Sequence, residues 1–326
     1  MVQPLRIDGA RAWKASGTGS LVAIGNFDGV HAGHRAVLGA ASAEAHEKGL
    51  AFLVLTFDPH PTVVLGRGRQ AVLTPLDRKV ELLGAPDPSL RVVVEPFTPE
   101  LAQMTPRAFA EELLVGHLGA KVVVVGENFR FGHARAGDLP FLVRLGTELG
   151  FTARAEELLS DGEGPISSSR IRAAIAARDL ACAERLLGRP HALTGVVVKG
   201  DGRGRTIQVP TANLSGVEEA LPPYGVYAVL VDDVGEDETT RLGTGVLNVG
   251  NRPTVSAGFS VEVHLHDFDG DLYGKRLRLH LVQAIREEKK FSSLDELVVQ
   301  IRRDIETARE ATRRRAPPKG PRGGWY

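Results

Sequence analysis

Along the first half of the chain, short apolar runs alternate with longer stretches in which apolar residues recur every three or four positions. The runs 21–27, 51–57, 91–97 and 121–126 are rich in Val, Leu and Phe and carry no polar alternation. Each therefore predicts a strand covered on both faces. The intervening segments read as helices. Thr105-Pro106 has the form of an N-cap followed by proline at the first helical position. Phe109, Leu113, Leu114 and Leu118 then share one face, and Gly119 follows as a stop. Strands separated by helices predict a parallel sheet with helices on both sides, and such sheets bind ligands beyond the carboxyl ends of their strands.

Residues 168–188 read as two linked helices, with Asp179 as the second N-cap and Gly188 as the stop; Pro190 follows, and the domain boundary is set at Gly188. Beyond it the pattern changes. Strand signals at 193–199, 225–231, 260–268 and 275–281 follow one another without long helices. In the third, Val261, Val263 and Leu265 alternate with Glu262, His264 and His266, a period of two that marks a strand with one buried face. The expectation is a small antiparallel Greek-key barrel. A terminal helix closes it, with Ser293 and Glu296 as a capping box and Leu294, Leu297, Val298, Ile301, Ile305 and Ala308 as its apolar stripe. The fold class is thus α/β plus β, with domains at 1–188 and 189–312. Residues 313–326, basic and rich in Pro and Gly, are expected to be a disordered tail.

Composition adds exclusions. The chain has 326 residues, 43% of them hydrophobic, and 40 basic residues balance 40 acidic ones. Zero net charge gives no global field for nucleic acid or a membrane surface, so any anionic substrate must be held by local devices. The single cysteine, Cys182, forbids an internal disulfide and reads as a small buried residue. No run is long and apolar enough for a signal peptide or a span. A cytoplasmic protein, monomeric or weakly homo-oligomeric, without nucleic-acid or membrane partners, is expected.

The strongest chemical signal is Gly25-Asn26-Phe27-Asp28-Gly29-Val30-His31-Ala32-Gly33-His34. It follows a strand and opens a helix. Gly33 permits close approach of backbone to a phosphate, and the helix N-terminus supplies unpaired N–H groups and a positive dipole end. The imidazoles of His31 and His34 can donate to a nucleotide α-phosphate and stabilise charge as pyrophosphate leaves. This string resembles the His-x-Gly-His nucleotidyltransferases and, within them, the bifunctional riboflavin kinase/FAD synthetases of bacteria. Further strings fit that family in order: Thr56-Phe57-Asp58-Pro59-His60-Pro61, Gly126-Glu127-Asn128-Phe129-Arg130-Phe131-Gly132 and Ile166-Ser167-Ser168-Ser169-Arg170-Ile171-Arg172.

The resemblance implies nucleotide contacts for Gly25, Phe27, Asp28, Gly33 and Asn128, and flavin contacts for Phe57, Pro59, Asn128, Phe129, Arg130 and Phe131. Taken alone, Phe129 and Phe131 read as core. Ser167, Ser168, Ser169, Arg170 and Arg172 combine hydroxyls and guanidiniums at a helix start, which suits the β- and γ-phosphates of ATP. Ser169 stands where the family often has threonine, and the hydroxyl is kept. Pro59 and Pro61 suggest a rigid turn that shapes the site, with His60 either touching phosphate or purely structural.

In the second half, the Gly-rich basic loop Lys199-Gly200-Asp201-Gly202-Arg203-Gly204-Arg205 precedes Pro210-Thr211-Ala212-Asn213. Gly200, Gly204, Arg205, Thr211 and Asn213 are implied nucleotide contacts. In the resembling kinases the matching Thr and Asn help hold Mg²⁺, and hydroxyl and amide oxygens suit that hard cation. Two positions apart in an extended segment, they face one side. The match continues through Pro223-Tyr224-Gly225-Val226-Tyr227 and 245–254, which contains Arg252, an implied flavin contact. It continues into 261–265, with Glu262 as the implied general base, then Asp271-Leu272-Tyr273-Gly274 and 286–297. Where the family has Gly and an aromatic before Pro-Thr-Ala-Asn, this chain has Gln208-Val209.

The resemblance spans residues 21–309. It implies phosphorylation of riboflavin by ATP with Mg²⁺ to give FMN, then transfer of AMP from ATP to FMN to give FAD and pyrophosphate. Three rivals stand beside it: an FMN adenylyltransferase whose second domain only binds flavin, a His-x-Gly-His transferase acting on another phosphate, and a non-catalytic flavin carrier.

Overall fold

The computed structural model describes residues 5–14, 17–66, 71–156, 159–200, 209–235, 238–251, 258–313 and 315. Gly204, Arg205, Gln208, Arg252 and all but the start of the basic tail lie outside them. The chain divides into two compact units, one from residues 1–70 and 74–167, the other from 71–73 and 168–326.

The first unit is a six-stranded parallel sheet. Its strands are β1 (Arg6–Asp8), β2 (Ser20–Ile24), β3 (Ala51–Asp58), β4 (Arg91–Pro96), β5 (Ala120–Gly126) and β6 (Thr152–Glu156), in the order β1-β4-β3-β2-β5-β6. The absence of polar alternation now has its explanation. Val22, Ile24, Leu53, Leu55, Val123 and Val125 face one hydrophobic layer, while Leu21, Ala23, Phe52, Val54, Val122 and Val124 face the other. The second layer is closed by α1 (Ala32–Glu47) and α2 (Leu76–Gly84); the first by α3 (Phe109–His117) and α4 (Leu139–Leu149). Thr105 caps the segment entering α3 by accepting from the Ala108 amide at 3.1 Å, and Phe109, Leu113, Leu114 and Leu118 are buried as expected. The hydrogen bonding of α3 is π-helical rather than α-helical.

The expected strand at 21–27 ends earlier, at Ile24. Phe27 and Val30 have positive φ values of 47° and 38°, with Gly29 at 88°, so the backbone leaves the sheet in a left-handed turn. β1 and β6 have no apolar run to announce them. Both are edge strands, and the 152–156 strand has no fully buried residue.

The second unit is a closed barrel. β7 (Ala192–Val198), β8 (Ala212–Ser215), β9 (Gly225–Val234), β10 (Thr239–Asn251), β11 (Phe259–Leu265) and β12 (Arg276–Glu287) pair antiparallel in the order β10-β11-β8-β7-β12-β9. Its interior is filled by alternate residues: Tyr227, Val229 and Val231; Leu247 and Val249; Val261, Val263 and Leu265; Leu277, Leu279 and Leu281. β8 and β10 were not legible as strands. One is four residues long with Asn213 outward, and the other carries three glycines. Helices α5 (Ser168–Ala176) and α6 (Leu180–Leu187) belong to this unit, and Leu180 enters the barrel core. Asp179 caps α6 by accepting from the Cys182 amide, and Gly188, at φ 67°, ends it.

Helix α7 (Leu294–Arg313) lies on the outside of the barrel, with Ala308 packed against Ala228, Leu230 and Val282. Ser293 Oγ accepts from the Glu296 amide, but the Glu296 carboxylate reaches Ser292 rather than Ser293, so the capping box is displaced by one residue. The stripe meets an unexpected fate. Only Ala308 of the six is buried, and Leu294 is 62% exposed.

Candidate active sites of the two units

In the first unit, β2 is the strand at which the order reverses, because the chain proceeds from it to β3 and β4 on one side and later to β5 and β6 on the other. Open α/β sheets bind ligands at such a switch point, beyond the carboxyl ends. The turn 25–30 leaves β2 there, and α1 starts at once. His31 is the N-cap of α1, its Nδ1 accepting from the His34 amide at 3.3 Å. The two imidazoles stack at 3.6 Å between centroids, and Phe27 meets His34 edge-on at 5.2 Å. His31 is buried. Gly33 is closely packed: a Cβ there would lie 3.2 Å from His31 Nδ1 and 3.6 Å from the Ile166 carbonyl, so the His31 ring would have to give way. The start of the Ile166-Ser167 string is thus beside the histidine turn. Gly25 abuts the Phe27 ring in the same way, at 3.2 Å.

Asp28 is not turned toward open solvent. Its Oδ1 accepts from the Thr74 amide at 3.2 Å, and Thr74 Oγ1 accepts from the Gly29 amide at 3.0 Å. Asp28 therefore fixes the turn. Thr56 at the end of β3 donates to the Asn26 carbonyl, tying the two strand ends together. Phe57 packs edge-on against Phe97, the Asp58–Pro59 peptide is cis, and His60 caps the short helix Pro61–Val64 by accepting from the Thr62 amide. The structural half of the His60 reading thus has direct support.

Beyond β5, Asn128 and Arg130 are exposed, as their place at a strand end requires. Phe131 is buried between Phe109 and Phe129 and belongs to the core, whereas Phe129, stacked on it at 5.3 Å, is half-exposed. Of the two rings, Phe129 is the one that offers a face. Ser168, Ser169, Arg170 and Arg172 open α5 in the second unit, where Arg172 Nε donates to the Ala71 carbonyl at 3.0 Å.

In the second unit a cavity of about 540 Å³ lies between the outer face of the barrel and α7. Its barrel wall contains Val209, Thr211, Asn248, Glu262 and His264; its helical wall contains Leu294, Leu297, Ile301 and Ile305. This explains the exposed stripe: the apolar side of α7 faces a space rather than a core. A smaller pocket of about 120 Å³ adjoins it, lined by Val197, Leu265, Phe268, Tyr273 and again Thr211.

Ladder register brings the chemical residues together. Asn248 pairs with Glu262 across β10 and β11, and Glu262 pairs with Asn213 across β11 and β8. Ala212 and Leu214 face the core, so Thr211 and Asn213 both face outward, as their spacing required. Gly200 abuts Asn213 so closely that a Cβ would fall 2.3 Å from its Nδ2. His264 Nδ1 is hydrogen-bonded to the Pro210 carbonyl at 2.8 Å, which holds the entry to β8.

Four features of this site were not singled out from sequence. Asn248 lay within a quoted string without a role. Arg286 grips the buried Asp304 carboxylate through Nε and Nη2, both at 2.9 Å. Phe291 lies under the Arg286 and Lys289 cations at 5.5 and 5.3 Å. The i, i+3/i+4 stripe of α7 was assigned to packing; a stripe wider than its own helix needs was the available signal.

Comparison with known proteins is decisive for both units. A family model described as FAD synthetase matches residues 14–170, and one described as riboflavin kinase matches residues 187–312. A bifunctional riboflavin kinase/FMN adenylyltransferase of Escherichia coli is 43% identical over 295 residues, covering 90% of this chain and 92% of that protein. The chain belongs to the bifunctional riboflavin kinase/FMN adenylyltransferase family. Its Bacillus subtilis relative, of the same name, is 37% identical over 298 residues, covering 89% of this chain and 91% of the relative. A solved structure described as a macrolide-efflux protein from Streptococcus pneumoniae superposes with a TM-score of 0.81 at 28% identity, covering 94% of this chain and 99% of that one. Among the described residues, no helix is long and apolar enough to cross a membrane.

Proposed function

We propose that the chain makes FAD in two steps, with residues 189–312 phosphorylating riboflavin and residues 1–188 adenylylating the FMN produced. The observation that carries the kinase reading is that Thr211 borders both pockets of the second unit. The larger, apolar on its α7 side, has the size for riboflavin, with Arg286, Phe291 and Asp304 at its rim and wall. The smaller, lined by Phe268 and Tyr273, suits the adenine of ATP. The phosphates then run past Thr211, Asn213 and Gly200, toward Glu262.

Glu262 accepts the proton of the riboflavin 5′-hydroxyl as that oxygen attacks the γ-phosphate of ATP, and ADP leaves. Phosphoryl transfer asks the protein mainly for positioning and charge stabilisation, so one base suffices. Among the described residues no cluster of three or more His, Cys, Asp or Glu side chains can hold a metal. For Mg²⁺ the donors would be Thr211 Oγ1 and the Asn213 amide oxygen, both outward and two positions apart, which suits a hard cation that shares its shell with water and ATP. Bound there, Mg²⁺ would neutralise phosphate charge.

In the first unit, the FMN phosphate attacks the α-phosphate of ATP and pyrophosphate departs, with no covalent enzyme intermediate. His31 and His34 stabilise the charge from the N-terminus of α1, where backbone amides and the helix dipole add to them. Gly25, Phe27 and Gly33 let the nucleotide approach, Asp28 shapes the turn, and Asn128, Arg130 and Phe129 border the flavin. Ser167, Ser168, Ser169, Arg170 and Arg172 are assigned to the β- and γ-phosphates on the strength of their motif. Separate assays test each half: riboflavin with ATP must yield FMN, and FMN with ATP must yield FAD. The substrates are small molecules, and we place the reaction in the cytoplasm.

A further inference from the structure

Helix α2 carries a lysine where a helix packed on a sheet would carry an apolar residue. Lys79 is only 8% exposed and is flanked by buried Arg78 and Val80. Lysine is almost never buried to this degree unless its charge has a partner. Arg78 has one in Glu81, at 2.5 Å. The Lys79 side chain has no hydrogen bond and no ion pair among the described residues.

The carboxylates whose charges reach it are Asp28 and Asp58. Burial pulls the pKa of its ammonium down, and those two carboxylates are the charges that oppose the fall. Both stand at the ligand end of the sheet: Asp58 is the last residue of β3, and Asp28 lies in the turn that leaves β2, three residues before His31. The segment entering α2 is locked to that turn by the paired Thr74 bonds to Asp28 and Gly29. A short stretch of chain thus fixes both the histidine turn and a desolvated cation near it.

We propose that Lys79 binds a phosphate group of the adenylylation substrates, as the cationic member of a site whose other donors are His31 and His34. The inference rests on the adenylyl-transfer reading given above. Attack of one phosphate on another brings two anions together, and a fixed ammonium offsets their repulsion. A lysine binds phosphate as a compact point charge. Asp28 and Asp58 act on the ammonium without pairing with it, and an entering phosphate supplies the direct partner it lacks. FMN and the triphosphate of ATP offer the same chemistry, and kinetics separates them.

The test uses the full chain with Lys79→Met, which keeps the stem and removes the charge, and Lys79→Arg, which keeps the charge. Wild-type conversion of FMN to FAD is measured first; its absence would sink the underlying reading rather than this one. Lys79→Met should then raise KM for FMN or for ATP in adenylylation by roughly tenfold or more, the loss expected for one charge-assisted hydrogen bond. A rise for FMN identifies its phosphate as the ligand; a rise for ATP identifies the triphosphate. Riboflavin phosphorylation and the melting temperature should stay at wild-type values, and Lys79→Arg should recover most of the lost KM. Unchanged KM values for both substrates in folded Lys79→Met would overturn the proposal. If Lys79→Met does not fold, reductive methylation of the wild-type protein decides, read at Lys79 by peptide mass spectrometry. FMN or pyrophosphate should slow it where riboflavin does not, and no protection by either would overturn the proposal.

Discussion

The histidine turn of the first unit and the barrel cavity of the second are built in opposite ways. The turn is local. Ten consecutive residues supply its helix N-cap, its stacked imidazoles and its closely packed glycine. The cavity is assembled from distant pieces: Thr211 before β8, Asn248 on β10, Glu262 on β11 and the stripe of α7. A phosphate needs clustered N–H groups, which one strand-to-helix turn can provide. A large apolar wall beside a polar edge needs more surface than one turn offers, and the barrel face opposed by α7 provides it.

The contrast is broken or sharpened by variants that should silence one site and spare the other. Glu262→Gln should have the largest effect. It removes the base without changing shape, so riboflavin phosphorylation should fall about 10³-fold while FMN adenylylation is untouched. Chromatography of both flavins reads this directly. Equal loss of both activities would mean the sites are not separable. His31→Ala should do the reverse, lowering FAD formation about 10²-fold with FMN formation intact.

Gly33→Ala sharpens the same side. The added methyl lies 3.2 Å from His31 Nδ1, so the imidazole must shift, and adenylylation should fall about tenfold or more. A wild-type rate would show that the stacked geometry is not needed. Ile301→Ala probes the apolar wall and should raise KM for riboflavin about fivefold, the equivalent of about 1 kcal/mol of lost burial, without affecting KM for FMN in adenylylation.

The smallest effect concerns stability of the barrel unit. Burial raises the Glu219 pKa to about 7, outweighing the amides of Thr194 and Glu218 that donate to its carboxylate. Its neutral form is favoured in the folded state, so its contribution is complete below the unfolded value near 4.5 and is lost as pH rises toward 7. Burial lowers His191 and His266 to about 4, and their contribution is lost as pH falls from about 6.5 toward 4. Glu219→Gln should therefore melt progressively higher than wild type as pH climbs from about 4.5 to about 7. A melting difference that does not change with pH would contradict this.

The same contrast governs what the sequence made legible. Buried parallel strands announce themselves by continuous apolar runs, and the four central strands of the first sheet were read in place. Edge strands β1 and β6 lack such runs and were missed. In the barrel, β11 was read from its alternation, but β8 and β10 were not, because β8 is four residues long with Asn213 outward and three glycines interrupt the apolar pattern of β10. Glu262 was reached through the family resemblance; its alternation with Val261 and Val263 shows only that it faces outward. Lys79 and Arg286 were overlooked because a lysine or arginine in a polar string reads as solvated until the burial of the one and the Asp304 partner of the other are seen.

The most direct test of the whole account is a time course of the purified chain with riboflavin, ATP and Mg²⁺, with a parallel sample started from FMN. The account predicts that FMN rises first and is then converted to FAD, and that the parallel sample yields FAD without delay. FAD from FMN with riboflavin untouched would contradict the kinase site. No change in either flavin would contradict both.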